Sequence, residues 1–74
     1  MDTLGHDVRE RRRQLGLRQQ DLADLSATSP RFIRELEGGK TTVRLDKLAA
    51  VLEALGLDLR TVRREPGASP AAGT

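Results

Sequence analysis

Residues 19–37 read Gln19-Gln20-Asp21-Leu22-Ala23-Asp24-Leu25-Ser26-Ala27-Thr28-Ser29-Pro30-Arg31-Phe32-Ile33-Arg34-Glu35-Leu36-Glu37. Leu22, Ala23 and Leu25 are the apolar content of one short helix, from about Gln19 to Leu25. Asp21 lies near its start, where the helix dipole favours a negative charge. Ser29-Pro30 opens a second helix: a hydroxyl N-cap, then a proline whose missing N–H suits the first helical position. Phe32, Ile33 and Leu36 are its apolar residues, and Gly38-Gly39 stops it. Only Ser26-Ala27-Thr28 stands between the two. A short helix, a turn of about three residues and a capped helix make the helix-turn-helix plan. In its DNA-binding versions the second helix enters the major groove and reads bases with its N-terminal residues.

The outward face of that second helix carries the chemistry. Ile33 and Leu36 are needed inside, which leaves Pro30, Arg31 and Arg34 outside. Ser29 sits beside backbone amides that favour an anion. Two readings of the arginines stand side by side. Arg presents a planar fork that matches phosphate and guanine. Alternatively, Arg31 and Arg34 belong to a solvated face, paired with Glu35 or Glu37 at helical spacing.

Helices flank this unit. Leu4, Val8 and Leu15 fall at helical spacing over about Leu4 to Leu15, and Gly16 supplies a residue that tolerates a left-handed stop. Asp2 or Thr3 can cap the start, and Asp7 lies near the positive end of the dipole. Leu45, Leu48, Ala49, Leu52 and Leu55 form the strongest stripe, over about Leu45 to Leu55, and Gly56 ends it. The period then changes. Leu57, Leu59 and Thr61 alternate with Asp58, Arg60 and Val62, which predicts a short strand. A lone strand has no partner for its backbone, so it either frays or pairs with a second copy. Residues 65–74, Glu65-Pro66-Gly67-Ala68-Ser69-Pro70-Ala71-Ala72-Gly73-Thr74, are small and poor in charge, which predicts a disordered tail.

Composition narrows the function. Seventy-four residues make one domain, and the lack of Cys removes disulfides, thiolate metal sites and a cysteine nucleophile. His6 is the sole histidine and Tyr and Trp are absent, so neither an enzyme nor a metal or cofactor site is expected. A lone His cannot assemble a metal site, and His6 reads as a solvated helix residue. No apolar run is long enough for a membrane span and no signal peptide is visible, so a cytoplasmic protein is expected. The net charge is +2, but eleven of the thirteen basic residues are Arg. That suits phosphate and guanine contacts, and equally a GC-rich genome. One member of the run Arg9, Arg11, Arg12, Arg13 is expected to pair with Glu37, the rest to be solvated. Arg60, Arg63 and Arg64 could meet phosphate, a partner or water, with water or a partner favoured, and Phe32 is core or groove edge, with core favoured.

Three runs resemble the Cro/CI (Xre) family of phage-repressor helix-turn-helix domains: Arg12-Arg13-Gln14-Leu15-Gly16-Leu17-Arg18-Gln19-Gln20-Asp21-Leu22-Ala23, then Ser29 to Glu37, then Gly39-Lys40. The likeness covers about residues 4–57. The run Thr42-Val43-Arg44-Leu45-Asp46-Lys47-Leu48, with Val51 to Leu59, resembles the HipB-like antitoxin branch. The resemblance implies that Arg31, Arg34 and Pro30 face bases, and that Gln19, Ser29, Lys40 and Arg44 face phosphates. It implies a partly buried salt bridge between Arg12 and Glu37. It departs at Arg18, where Thr or Ser is common: α-helix capping is lost there, or Arg18 serves as a further phosphate contact. Pro30 replaces a polar residue, which puts more of the readout on Arg31 and Arg34. Gly38 replaces a common Asn, a conservative change for a helix stop.

The expected fold is all-α: a compact four-helix, lambda-repressor-like helix-turn-helix domain over residues 1–56. A strand over 57–64, carrying Leu57, Leu59, Thr61 and Val62, pairs across a dimer, and a tail follows over 65–74. The expected function is a repressor that binds a palindromic operator in double-stranded DNA as a homodimer. The HipB-like likeness adds an antitoxin role with a HipA-like kinase toxin as partner. A helix-turn-helix adaptor working through protein contacts, or a stand-alone Xre repressor without a toxin, is the alternative.

Overall fold

The computed structural model describes residues 3–40 and 42–61. Four helices follow one another: α1 (Thr3–Gln14), α2 (Gln19–Ser26), α3 (Pro30–Glu37) and α4 (Leu45–Leu55). α2 packs on α3 and α4, and α1 packs on the same two helices. Their shared centre holds Val8 of α1, Leu22 and Ala23 of α2, and Ile33 and Leu36 of α3. Leu48, Val51, Leu52 and Leu55 of α4 complete it. Each large aliphatic side chain buried there contributes about 1.5–3 kcal/mol relative to exposure. Phe32, Leu17, Val43 and Leu57 lie half-buried against its edge.

The inward stripes differ in detail from the sequence reading. On α4 the buried positions are 48, 51, 52 and 55, a spacing of i, i+3, i+4, i+7, and Ala49 is exposed. Leu45, at the first position of the helix, is 66% exposed. On α2 the buried line is Leu22, Ala23 and Ser26, which leaves Leu25 63% exposed. Leu15 lies past the end of α1 and is exposed. Leu25 and Ala49 lie one position off an inward stripe, Leu45 at the first position of α4 and Leu15 beyond the end of α1, and apolar spacing alone does not separate any of them from core.

All four helices close with the same pair of hydrogen bonds. Leu17 N–H donates to Arg12 O and Gly16 N–H to Arg13 O, both at 3.0 Å. Thr28 N–H to Ala23 O (2.9 Å) and Ala27 N–H to Asp24 O (3.3 Å) repeat the pattern after α2. Lys40 to Glu35 with Gly39 to Leu36, and Leu57 to Leu52 with Gly56 to Glu53, repeat it after α3 and α4. This is the Schellman stop, whose next-to-last residue is left-handed. Glycine fills that place at φ 70° (Gly16), 92° (Gly39) and 72° (Gly56). The stop of α3 therefore falls on Gly39, since Gly38 has φ −80°. After α2 the place is taken by Ala27, at φ 56° and ψ 40°. Its Cβ makes this conformation unfavourable, and it lies in the turn that sets α3 against α2.

Ser26 closes the same turn from inside. It is buried, its Oγ donates to Leu22 O at 2.7 Å, and it lies 2.8 Å from Thr28 Oγ1. With the Ser26 proton committed to the backbone, the Thr28 hydroxyl donates to Ser26.

The described residues contain no strand. Residues 57–61 leave α4 without regular structure, and beyond Leu57 their backbone makes no hydrogen bond among the described residues. A strand needs a neighbour to satisfy its backbone, and the described residues supply none. Asp2, Val62, Arg63, Arg64 and the stretch 65–74 lie outside the described residues. No helix among the described residues is long and apolar enough to cross a membrane.

Ala27→Gly is expected to stabilise the domain by about 0.5–1 kcal/mol and to raise Tm by a few degrees, because it relieves the one left-handed non-glycine residue among the described residues. Thermal and urea unfolding check this; a loss of stability would show that the turn geometry is not strained.

Candidate nucleic-acid interface

α3 is placed by its two ends. At its start Ser29 is extended (φ −128°, ψ 155°), and its Oγ accepts from Phe32 N–H at 3.1 Å. The serine hydroxyl keeps its own proton and can donate it outward. Pro30 follows at the first helical position, half-buried. Ile33 and Leu36 turn inward, so Arg31 and Arg34, three residues apart, share the exposed side.

At the other end, Glu37 ties α3 to the rest of the domain. Arg12 of α1 grips its carboxylate with two donors, Nε to Oε2 at 2.6 Å and Nη2 to Oε1 at 2.9 Å. Their side chains are only 11% and 5% exposed. The remaining Arg12 donor, Nη1, bonds Leu17 O at 2.8 Å and so holds the loop between α1 and α2. Gln19, the first residue of α2, donates from Nε2 to Glu37 Oε1 at 3.2 Å. One carboxylate thus joins three helices. The hydrogen bonds to Glu37 hold the Arg12 guanidinium above its ordinary pKa, against the opposing effect of burial. Arg12 is the member of the basic run that meets Glu37. Gln19, read as a phosphate contact, also belongs to this network.

Of the five cations read as DNA contacts, Arg18, Arg31, Lys40 and Arg44 are held by carboxylates of the same chain. Arg18 Nη2 meets Asp21 Oδ1 at 3.1 Å, and Arg44 Nη2 meets Asp46 Oδ2 at 2.7 Å. Glu35 holds two at once: Arg31 Nε on Oε2 and Lys40 Nζ on Oε1, each at 3.2 Å. Among the described residues Arg34 makes no ion pair. Of the two readings of Arg31 and Arg34, pairing at helical spacing therefore applies to Arg31 with Glu35, and to Arg34 not at all.

These contacts lower the carboxylate pKa values. Hydrogen bonds from Arg18 do so for Asp21, those from Arg31 and Lys40 for Glu35, and that from Arg44 for Asp46. Their folded values lie below the unfolded ones. The pairs are therefore complete above the ordinary carboxylate range and are lost as pH falls through the lowered values. At neutral pH all three carboxylates are charged.

Arg18 replaces the usual N-cap of α2 and cannot itself accept a hydrogen bond. Half of a capping arrangement remains, since Asp21 Oδ2 accepts from Arg18 backbone N–H at 2.8 Å. The loss read from the sequence is thus partly offset by Asp21.

Two further polar roles escaped the sequence reading. Arg11 Nε bonds Leu55 O at 2.9 Å and so satisfies a carbonyl in the last turn of α4. Nothing in the run of arginines marks Arg11 apart from its neighbours. Lys47 sits with Nζ 5.8 Å from the centre of the Phe32 ring, against a side chain that the sequence placed in the core. The described residues hold no group of His, Cys, Asp or Glu arranged for a metal ion.

Two helices set by a tight turn, the second capped, seated on a buried ion pair and cationic outside, define a helix-turn-helix protein. The family profile described as helix-turn-helix matches residues 8–62. An uncharacterized HTH-type transcriptional regulator, y4mF, from Sinorhizobium fredii (strain NBRC 101917 / NGR234) is 39% identical over 56 residues, spanning 76% of this chain and 74% of its own. The chain belongs to the helix-turn-helix family of the Cro/CI (Xre) type.

Proposed function

We propose that the chain is a sequence-specific transcriptional repressor that binds double-stranded DNA as a homodimer and works in the cytoplasm. One observation carries the reading: α3 presents a capped N-terminus with Ser29, Arg31 and Arg34 outward, on a helix that the Arg12–Glu37 pair fixes to the core. Arg31 and Arg34 supply base contacts, and Pro30 only an apolar one, such as with a thymine methyl. Ser29, Gln19, Lys40, Arg44 and Arg18 supply phosphate contacts that set position without reading sequence. The HTH-type regulator that this chain resembles supports the same role. Repression would follow from occupying a promoter.

A fluorescence-anisotropy titration at near-physiological salt tests this. The DNA upstream of the coding sequence is expected to bind about a thousandfold more tightly than a scrambled duplex. Arg44→Ala is expected to weaken both and lower the salt slope by about one. Equal, weak, salt-sensitive binding to both duplexes would contradict the proposal and favour the adaptor reading.

The dimer rests on the chain after α4. Leu59 is 56% exposed and the backbone of 58–61 is unpaired among the described residues. A shallow groove between this segment and α1 has Leu4, Leu52, Leu57 and Leu59 as its apolar lining, with polar and charged residues of α1 and Asp58 around them. Two copies joined along Leu57, Leu59, Thr61 and Val62 would satisfy both backbones and present two reading helices to a palindrome. A chain ending at Gly56 is expected to sediment as a monomer where the full chain is a dimer; an unchanged dimer would move the interface elsewhere.

The HipB-like resemblance of residues 42–59 is the sole support for an antitoxin role with a HipA-like kinase toxin. Co-expression with the neighbouring coding sequences checks it. A kinase-like product that copurifies with the full chain supports the role, and failure of every neighbour to do so removes it.

A further inference from the structure

Glu35 makes a contact whose direction matters more than its strength. Its Oε2 accepts from Nε of Arg31, and no hydrogen bond engages either terminal nitrogen of that guanidinium among the described residues. The Arg31 side chain is 78% exposed and Glu35 33%. An exposed pair of this kind adds little to stability. It does restrict the guanidinium: with Nε turned inward to Glu35, the Nη1–Nη2 edge is directed away from the carboxylate. That edge is the one that meets O6 and N7 of guanine side by side. Lys40 Nζ, on Oε1 at 3.2 Å, holds the carboxylate from the following loop, and the Lys40 backbone N–H is itself bonded to Glu35 O at 3.0 Å. Arg34, three residues after Arg31, has no such holder among the described residues.

We infer that Glu35 is a specificity-determining positioning residue: it presents the outer edge of Arg31 to a guanine in each half-site, while Arg34 stays free to adapt. This rests on the DNA-binding reading above. A guanidinium held in one orientation loses less freedom on meeting the right base and adapts less readily to a phosphate or a wrong base. Glu35 also places a negative charge beside the DNA, which weakens binding to every duplex alike. Removing it therefore has two separable effects. Affinity for random DNA rises or holds, because a repulsion is gone. Preference for guanine at one position falls, because Arg31 is no longer aimed.

The test is selection of binding sites from a pool of randomised duplexes by the wild type, Glu35→Ala, Arg31→Ala and Glu53→Ala. Anisotropy titrations of the selected site and its single-base variants follow. Glu35→Ala removes the acceptor that Arg31 Nε uses, and Glu53→Ala makes the same change in net charge on the exposed side of α4. The wild type is expected to prefer guanine at the Arg31 position by about tenfold or more. Glu35→Ala is expected to reduce that preference to within about threefold, at the same position that Arg31→Ala relaxes, while its binding to random duplex is unchanged or tighter. Glu53→Ala should keep the preference. Full guanine preference in Glu35→Ala, or a parallel gain on selected and random DNA in both glutamate-to-alanine variants, would overturn the positioning role and leave only a charge effect. A wild type that selects no site at all would overturn the DNA-binding reading itself, and this inference with it.

Discussion

The buried carboxylate of Glu37 is the constraint on which the rest of the structure depends. It receives two hydrogen bonds from Arg12 and one from Gln19, so it joins the end of α3 to α1 and to the start of α2. Arg12 extends the network to Leu17 O. A buried ion pair is weak support for net stability, because desolvation offsets much of the attraction. Its worth here is geometric. Apolar packing of Ile33 and Leu36 is tolerant of small rotations, whereas a two-donor fork with a third donor on the same carboxylate accepts one arrangement. α3 is thereby held in register with the helix before it.

The outer surface follows a different rule. Asp21, Glu35 and Asp46 hold Arg18, Arg31, Lys40 and Arg44 through exposed pairs, which salt screens. The inner pair fixes where the helix lies, and the outer pairs set how its cations are offered. Both kinds come from the same residue types, and burial separates them.

The sequence made the four helices legible because their ends carry chemistry. Ser29-Pro30 starts α3, and Gly16 and Gly56 end α1 and α4 in the left-handed conformation that only glycine adopts easily. The family resemblance pointed to Arg12 and Glu37, a pair 25 residues apart that spacing alone would not connect. Other features were not legible. Ala27 sits left-handed without the residue that announces it. Ala49 and Leu25 looked like core because a helical stripe one position out of phase has nearly the same apolar pattern, and Leu45 because it is in phase with Leu48 and Leu52, although it stands at the exposed first position of α4. Arg11 could not be told from Arg9 or Arg13 until α4 ended against it. The carboxylate partners of the outer cations depend on rotamers, and spacings of two, three, four and five residues all occur among them.

Denaturant unfolding of Arg12→Met beside Arg12→Met/Glu37→Leu tests the central claim most directly. Domains this small have little stability to spare. The single variant strands the Glu37 carboxylate in a buried site and is expected to lose about 3–5 kcal/mol. The double variant should recover part of that loss, since no unpaired charge remains, though Leu17 O still lacks its donor. A single variant within about 1 kcal/mol of the wild type, the value of an exposed pair, would contradict the account.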